Sequence, residues 1–478
     1  MSRAPLPRDV RPIAIVVIVG AIMSILDTTI VNVALETLAR DLHAPLSTIQ
    51  WVATAYLLAL ATVIPLTGWA AERFGPRRVW MSVVAGFVLT SALCGAAWSA
   101  ESLIAFRCLQ GLAGGMIMPI GMITLAQAAG PQRVGRVMSV VGVPMLLGPA
   151  LGPLIGGLIV TDLSWRWIFY VNLPIGVLGL VLAARLLPAG RAVGRFAGPT
   201  SLDWRGLLML SPGVALVVFG LSEVSTHGSV TVARLVPVVA GLLLVLAFAV
   251  RGWRVRAPLV DVRLFEDRGF AAAGVTVFLV GASLFGALLL LPLYFQIARG
   301  LTPLQAGLLI GPQGAFAAIG MNRAGRLTDR VGGGPVVIAG LIVLLIGTIA
   351  FTQVRSGTPL WLLEGALAVR GLGLGFTMMP AMAAAYSTLE RPQVPRATPL
   401  LNVLQRVGGS LGTAVLAVVL QHELTASPAS VPAAFAHTYW WVQAGTAVAL
   451  VPAVVLARAQ RAAAARRATP SAAVPTVG

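Results

Sequence analysis

A succession of about fourteen long apolar runs confines this chain to one class of fold before any motif is considered. A hydrocarbon core about 30 Å thick is crossed by roughly 20 residues of helix. The runs at 12–35, 49–69, 79–98, 102–123, 137–160, 167–187, 207–221, 233–250, 270–291, 304–321, 336–351, 359–382, 402–420 and 440–456 fit that requirement. With 58% hydrophobic and only 10% charged residues, the composition lies far outside the soluble range. Lipid offers backbone groups no water to bond, so each run must satisfy its own amides as a helix. The expected class is an all-α polytopic membrane protein.

The formal net charge of +18 would suit a nucleic-acid binder. Its distribution argues against one, because every basic residue is arginine and the arginines alternate by connection. They gather at both termini and in the even-numbered connections, as in Arg73, Arg77 and Arg78, or Arg323, Arg326 and Arg330. The positive-inside rule then places both termini and these connections in the cytoplasm of a cell whose inner, cytoplasmic membrane holds the chain. Contact with anionic lipid is the other use of such charge, and no nucleic-acid partner is expected.

The first apolar run is too long for a signal peptide and lacks a small-residue cleavage site, so it reads as a retained span. Cys94 and Cys108 both fall within spans, which leaves no disulfide framework. His43, His227, His422 and His437 map to outward loops or span ends without clustered acids, so no metal is expected. The residues after Arg458 are rich in Ala, Arg and Pro and read as a disordered cytoplasmic tail, 459–478.

Two connections nearly repeat each other: Gly68-Trp-Ala-Ala-Glu72-Arg73-Phe-Gly75 with Arg77 and Arg78, and Gly325-Arg326-Leu-Thr-Asp329-Arg330-Val-Gly332. The repeat implies two homologous halves. A Gly, Pro and Arg-rich linker over 185–203 is followed by two runs without a counterpart. The layout is therefore an N-terminal six-helix bundle (1–190), a linker with two added spans (191–260) and a C-terminal six-helix bundle (261–458). Such a layout places a substrate near the midplane between the halves.

These residues resemble the major facilitator superfamily, and within it the fourteen-span drug:proton antiporters, over nearly the whole chain. The resemblance implies the major facilitator fold, transport of a small molecule, no cofactor other than a proton gradient, and no enzymatic activity. A periplasmic adaptor is left open. The segment Gly68 to Arg78 matches the superfamily's loop signature, with Glu72 where Asp is usual. Its implied role is a cytoplasmic latch in which the acid bonds a helix N-terminus or an arginine. A carboxylate gains stabilisation in either setting. Because the two copies differ around their acids, Glu72→Gln is expected to slow transport more than Asp329→Asn.

The spans also act as rulers. Arg107 lies about five residues, roughly 8 Å, below the outer surface. Asp27 lies about 15 residues from the inner surface, which leaves it about 8 Å from the outer one. An unpaired guanidinium at that depth needs a partner or a water cavity, and Asp27 is the natural partner. Both segments resemble first-span and fourth-span motifs of the antiporters. The functional reading is that Asp27 takes and releases the coupling proton while Arg107 tunes it. The alternative is a static pair that only fixes packing. Glu36 faces the other side of its helix and reads as a rim charge.

The fifth span carries Gly148, Pro149, Gly152, Pro153, Gly156 and Gly157. Glycine every four residues makes a smooth face for close helix contact, and the prolines loosen the backbone. The pattern resembles the motif of the superfamily's exporters, so export is expected. The segment Trp165 to Pro174 resembles the outer loop entering the sixth span. Met116, Met118, Met378 and Met379 sit at similar places in the two halves and, with Glu364 and Arg370, are candidate cavity-lining residues. Ordinary packing is the competing reading for the methionines. Arg406 is read as meeting headgroups at the inner start of the thirteenth span.

The expected function is proton-coupled export of hydrophobic or amphipathic, often cationic, drugs or toxic compounds by alternating access. Alternatives on the same fold are export of a native metabolite and uptake by symport. A polytopic membrane enzyme is disfavoured, because the loops supply no cluster of acids, histidines or cysteines. The chain also has no lysine for a nucleotide-binding loop.

Overall fold

In the computed structural model, the residues described are 10–130, 133–187, 201–255, 258–426 and 430–468. Among them the regular structure is helical throughout. The first unit comprises α1 (Arg11–Asp41), α2 (Leu46–Val63), α3 (Thr67–Phe74), α4 (Pro76–Gly95), α5 (Ala100–Ala129), α6 (Val134–Asp162), the short α7 (Trp167–Tyr170) and α8 (Asn172–Leu186). One 3-10 turn, Ile64–Leu66, joins α2 to α3 into a single rod. Helices α9 (Trp204–His227) and α10 (Val232–Arg254) follow. The second unit holds α11 (Arg268–Leu293), α12 (Pro303–Val331), α13 (Gly333–Thr352), α14 (Leu360–Ser387), α15 (Val394–Ala426), α16 (Val431–Val448) and α17 (Leu450–Ala468).

Twelve helical stretches among the described residues are long and apolar enough to cross a bilayer. This is fewer than the fourteen expected. The two runs outside that set are α6 and α12, each 29 residues long, and α12 ends on the polar sequence Arg323 to Arg330. The last helix continues to Ala468, past the boundary expected at Arg458, and the rest of the expected tail, 469–478, lies outside the described residues.

The duplication is visible in the packing. Helix α5 lies on α2 with Gly111 against the Tyr56 carbonyl and Gly115 against the Leu60 carbonyl; α14 lies on α12 with Gly371 against Gln313 and Gly375 against Ala317 in the same way. A side chain at any of the four would drive the helices apart, so small residues set the separation that van der Waals packing exploits in lipid. The added hairpin braces both units, because Trp51 of α2 stacks on Phe219 of α9 at 5.9 Å while Gly228 at the end of α9 rests on Gln421 of α15. Asp203 starts α9 by capping the Gly206 amide and also holds Arg251 of α10 at 2.8 Å and the Leu259 amide. Burial alone would raise its pKa, but these donors hold the carboxyl below its ordinary value.

The two units meet at the end that carries the repeated loops and part toward the other end. On one stripe of α12, Met321 and Gly325 pack against Gly142 and Ser139 of α6, whereas Gly307 and Gly311 have no neighbour within 4 Å. Along this stripe the contact of α12 with α6 is close near the loop end and open at Gly307 and Gly311.

Candidate functional site

Asp27 lies well along α1, about 24 Å from its start at the loop end, and is 0% exposed; Arg107 on α5 is 1% exposed. The Arg107 Nη1 donates to Asp27 Oδ2 at 2.8 Å and to Gln110 Oε1 at 2.7 Å, and its Nε donates to the Val52 carbonyl at 3.1 Å. Gln110, one turn along α5, donates from Nε2 to Asp27 Oδ1 at 3.0 Å. Asn172, at the start of α8, donates to the same oxygen at 3.0 Å and to Ser91 Oγ at 3.1 Å. Ser91 in turn donates to the Phe169 carbonyl at 2.9 Å. Below the guanidinium lies the Tyr56 ring, 3.9 Å from Arg107 Cζ.

Four helices therefore converge on one carboxylate, whose two oxygens accept three N–H donors. A neutral acid would lose the Arg107 attraction and would have to turn its proton away from donors that cannot accept it. The arrangement gives both oxygens of Asp27 donors and seals the carboxylate from water. The sequence pairing of Asp27 with Arg107 is realised; Gln110, Asn172, Ser91 and Tyr56 were not foreseen. Asn172 did carry a signal, as an amide inside an apolar run.

The glycine motif of α6 is the close contact beside this site. Gly152 packs on the Thr29 side chain and Gly156 on Ile30, two and three residues beyond Asp27 on α1. Gly157 faces open space, and the helix runs unbroken through Gly148, Pro149 and Pro153, whose own surroundings lie outside the described residues.

The repeated loops bridge the two units reciprocally. Glu72 of α3 reaches Arg396 of α15, with Nε at 3.0 Å and Nη2 at 3.4 Å. Asp329 of α12 accepts the Gly135 amide at 2.9 Å and the Arg136 amide at 3.3 Å, both in the first turn of α6. Val134-Gly135-Arg136 and Val394-Pro395-Arg396 open equivalent helices. Proline lacks an amide hydrogen, so Glu72 has no donor at 395 and takes the arginine side chain with its longer reach. Asp329 finds free amides and takes the positive end of the helix instead. Gly68 and Gly325 permit both approaches, each where a side chain would strike a facing carbonyl, that of Pro395 or Gly135. Gly75 and Gly332 then turn the chain at φ of +84° and +87°, a backbone region suited to glycine. Arg77 ties its loop to the Ala184 carbonyl at 2.7 Å, while Arg73, Arg78 and Arg330 are exposed. Burial raises the Asp329 pKa, outweighing the amide bonds.

A two-unit helical fold latched at one end accords with a family-model match to the Major Facilitator Superfamily over residues 17–413. The chain belongs to the major facilitator superfamily. Among its relatives is the Multidrug resistance protein B homolog of Mycobacterium tuberculosis (strain ATCC 25618 / H37Rv), 43% identical over 416 residues, 86% of this chain and 76% of that protein. The Methylenomycin A resistance protein of Streptomyces coelicolor is 32% identical across 88% of this chain and 87% of its own, and the Tetracenomycin C resistance and export protein of Streptomyces glaucescens is 30% identical across 86% and 76%. The fold matches the human organic anion transporter MFSD10 (TETRAN) with a TM-score of 0.66 at 18% identity, covering 94% of this chain and all of that one. It also matches the proton:xylose symporter XylE at 0.64 and 15% identity, covering 92% and 94%.

Within this superfamily member the remaining candidates scatter. Met116, Met378 and Met379 are buried core residues and Met118 is half-buried; Met379 packs against Gly142 across the unit interface. Glu364 sits in the second turn of α14 and is partly exposed. Arg370 is 1% exposed, and its Nε and Nη1 have no hydrogen-bond partner. Glu36 is exposed, as expected of a rim charge. Arg406 corrects an expectation: α15 begins at Val394, not near Asn402, so Arg406 lies twelve residues inside the helix and far from its end.

Proposed function

We propose that this superfamily member is a proton-coupled antiporter that exports hydrophobic or amphipathic compounds by alternating access. In this reading α6 and α12 join the twelve apolar stretches as spans, giving fourteen. In this reading the latched end and both termini lie on the cytoplasmic side of the cell membrane, which the exposed arginines of both loops support. Protons, lipid and the small-molecule substrate are its partners. The names of its relatives, which describe resistance and export, favour export over uptake.

The observation that carries the reading is the sealed Asp27 carboxylate, held by donors from α5 and α8 while it rides on α1. Rocking of one unit against the other acts on α1 through the tight Gly152 and Gly156 contacts of α6. In the proposed cycle, withdrawal of Arg107 or Asn172 from Asp27 accompanies proton uptake, and their return accompanies release. Alternation between these settings on opposite sides of the membrane couples proton entry to substrate exit. One proton moved through 100 mV contributes about 2.3 kcal/mol, and each pH unit about 1.4 kcal/mol more. Together they sustain a gradient of a neutral substrate of roughly 500-fold.

The test is substrate uptake by inverted vesicles under an imposed pH gradient, comparing the wild type with Asp27→Asn and Arg107→Ala. Both variants should lose gradient-driven uptake. Undiminished uptake by Asp27→Asn would remove the proton site, and indifference of the wild type to a protonophore would remove coupling.

A further inference from the structure

The proposed export reading leaves the substrate class open, and the second unit carries a charge that bears on it. Arg406 is exposed, yet it lies about 18 Å inside α15. Its direction follows from the helix. Pro395, Pro399, Asn402 and Arg406 recur at intervals of four, three and four residues, which is one face of an α-helix. Pro395 and Pro399 on that face meet Gly68 of the first unit. Arg406 therefore looks across the same interface about 16 Å above the latch, where the units have parted. Its titratable neighbour is Tyr56, the residue whose ring underlies Arg107. The hairpin of α9 and α10, which packs on both α2 and α15, covers the other approach between these helices.

Among the described residues Arg406 has neither an ion pair nor a hydrogen bond. A guanidinium at that depth is retained only where water or a counter-charge reaches it. Elsewhere in the membrane interior, Asp27 and Arg107 neutralise each other, while Arg370 adds a second buried guanidinium without a carboxylate beside it. Among the described residues Arg406 is thus an exposed interior cation without a carboxylate partner, while the buried Asp27 is already engaged by Arg107.

We propose that Arg406 is a substrate-binding residue and that a cleft between the units selects amphipathic compounds bearing a negative charge, such as a carboxylate, sulfonate or acidic phenol on an apolar body. The guanidinium supplies the planar fork that such oxygens match. A cationic substrate would meet a like charge at Arg406, with the buried Asp27 already engaged by Arg107. The inference rests on the export reading for its setting, but it concerns binding and can be tested without transport.

The experiment uses purified full-length protein and matched pairs of amphiphiles that share one apolar body and differ in carrying a carboxylate or a trimethylammonium group, with fluorescein and rhodamine 6G as a further pair. Dissociation constants are measured for wild type, Arg406→Gln, Arg406→Lys and Arg234→Gln, the last a charge-matched control in the outer part of the linker hairpin. The expected result is at least fivefold tighter binding of the anionic member by wild type, loss of that preference in Arg406→Gln, and its retention in Arg406→Lys and Arg234→Gln. A wild-type preference below fivefold, including no anion binding at all, overturns the proposal. So does a preference that survives in Arg406→Gln, or an equal loss for both members, which would mark a conformational role. A protein that prefers the anions yet transports none of them would keep this inference while refuting export.

Discussion

Neutralising the two latch acids should have unequal effects, and the structure gives the sizes. Glu72 and Arg396 are largely shielded and form two charge-assisted contacts. Glu72→Gln keeps one acceptor but loses the charge, a cost of about 1.5 kcal/mol at the shielded end of the exposed range. That corresponds to about a tenfold rise in the ratio of open to closed latch. Asp329 differs because burial already raises its pKa despite the amide bonds. Desolvation offsets what the amide bonds contribute to the carboxylate, so Asp329→Asn, which keeps an oxygen acceptor for those amides, should cost about 0.5 kcal/mol or less, near twofold. The assay is the distance distribution between spin labels at Arg78 and Arg461, both exposed in the two units. The pH dependence has a definite sign. A carboxyl whose pKa is higher when the latch is closed than when open takes up a proton on closing, so closure strengthens as pH falls from the raised value toward about 4 and is flat beyond either limit. Arg136 is the charged group facing Asp329, at 3.9 Å. Asp329→Asn should abolish this slope. A larger distance shift in Asp329→Asn than in Glu72→Gln, or an unchanged slope, would refute the reasoning.

Arg107→Ala leaves Asp27 buried beside two amides alone and should cost about 3–5 kcal/mol in thermal or denaturant unfolding, whereas Asn172→Leu, which removes one neutral donor, should cost about 1–3 kcal/mol. Gly68→Ala places a methyl against the Pro395 carbonyl and should bias the latch open by about 1–3 kcal/mol, read as increased labelling of cysteines introduced along the α3–α15 contact. Asp203 has a depressed pKa, so its contribution is present above the ordinary carboxylate value of about 3.9 and fades as pH falls through the lower folded value. Acid unfolding curves of Asp203→Asn should lack that step.

The spacing of Asp27 and Arg107 was legible because a spanning helix measures depth at a fixed rise per residue. One acid counted from below and one base counted from above met in the structure at 2.8 Å. The partners of the latch acids were not legible. Arg396 lies 324 residues from Glu72 and Gly135 lies 194 from Asp329, and the register between two units is set by their packing, which leaves no local pattern. Gln110 was hidden for a different reason: a glutamine one turn after an arginine reads as helix surface until α1 and α8 close over it. Arg406 was misplaced because the apolar run begins at Asn402, whereas the helix starts at Val394 and accepts Pro395 in its first turn and Pro399 shortly after.

The exchange of proline for glycine at equivalent helix starts has a consequence for how this lock can drift through mutation. One half is written in side chains: any change at Arg396 or Glu72 alters it, and its strength follows local ionic conditions. The other half is written in the main chain. Residue 136 can vary in identity and still present its amide, whereas a side chain at 135 would strike Asp329 Oδ1 and Thr328, so on the α6 side either a larger residue or a proline at 135 could remove it. A homologue could thus lose its arginine and keep half of its closure, and engineering aimed at a fully unlatched transporter would need a substitution at 135 as well as one at 72.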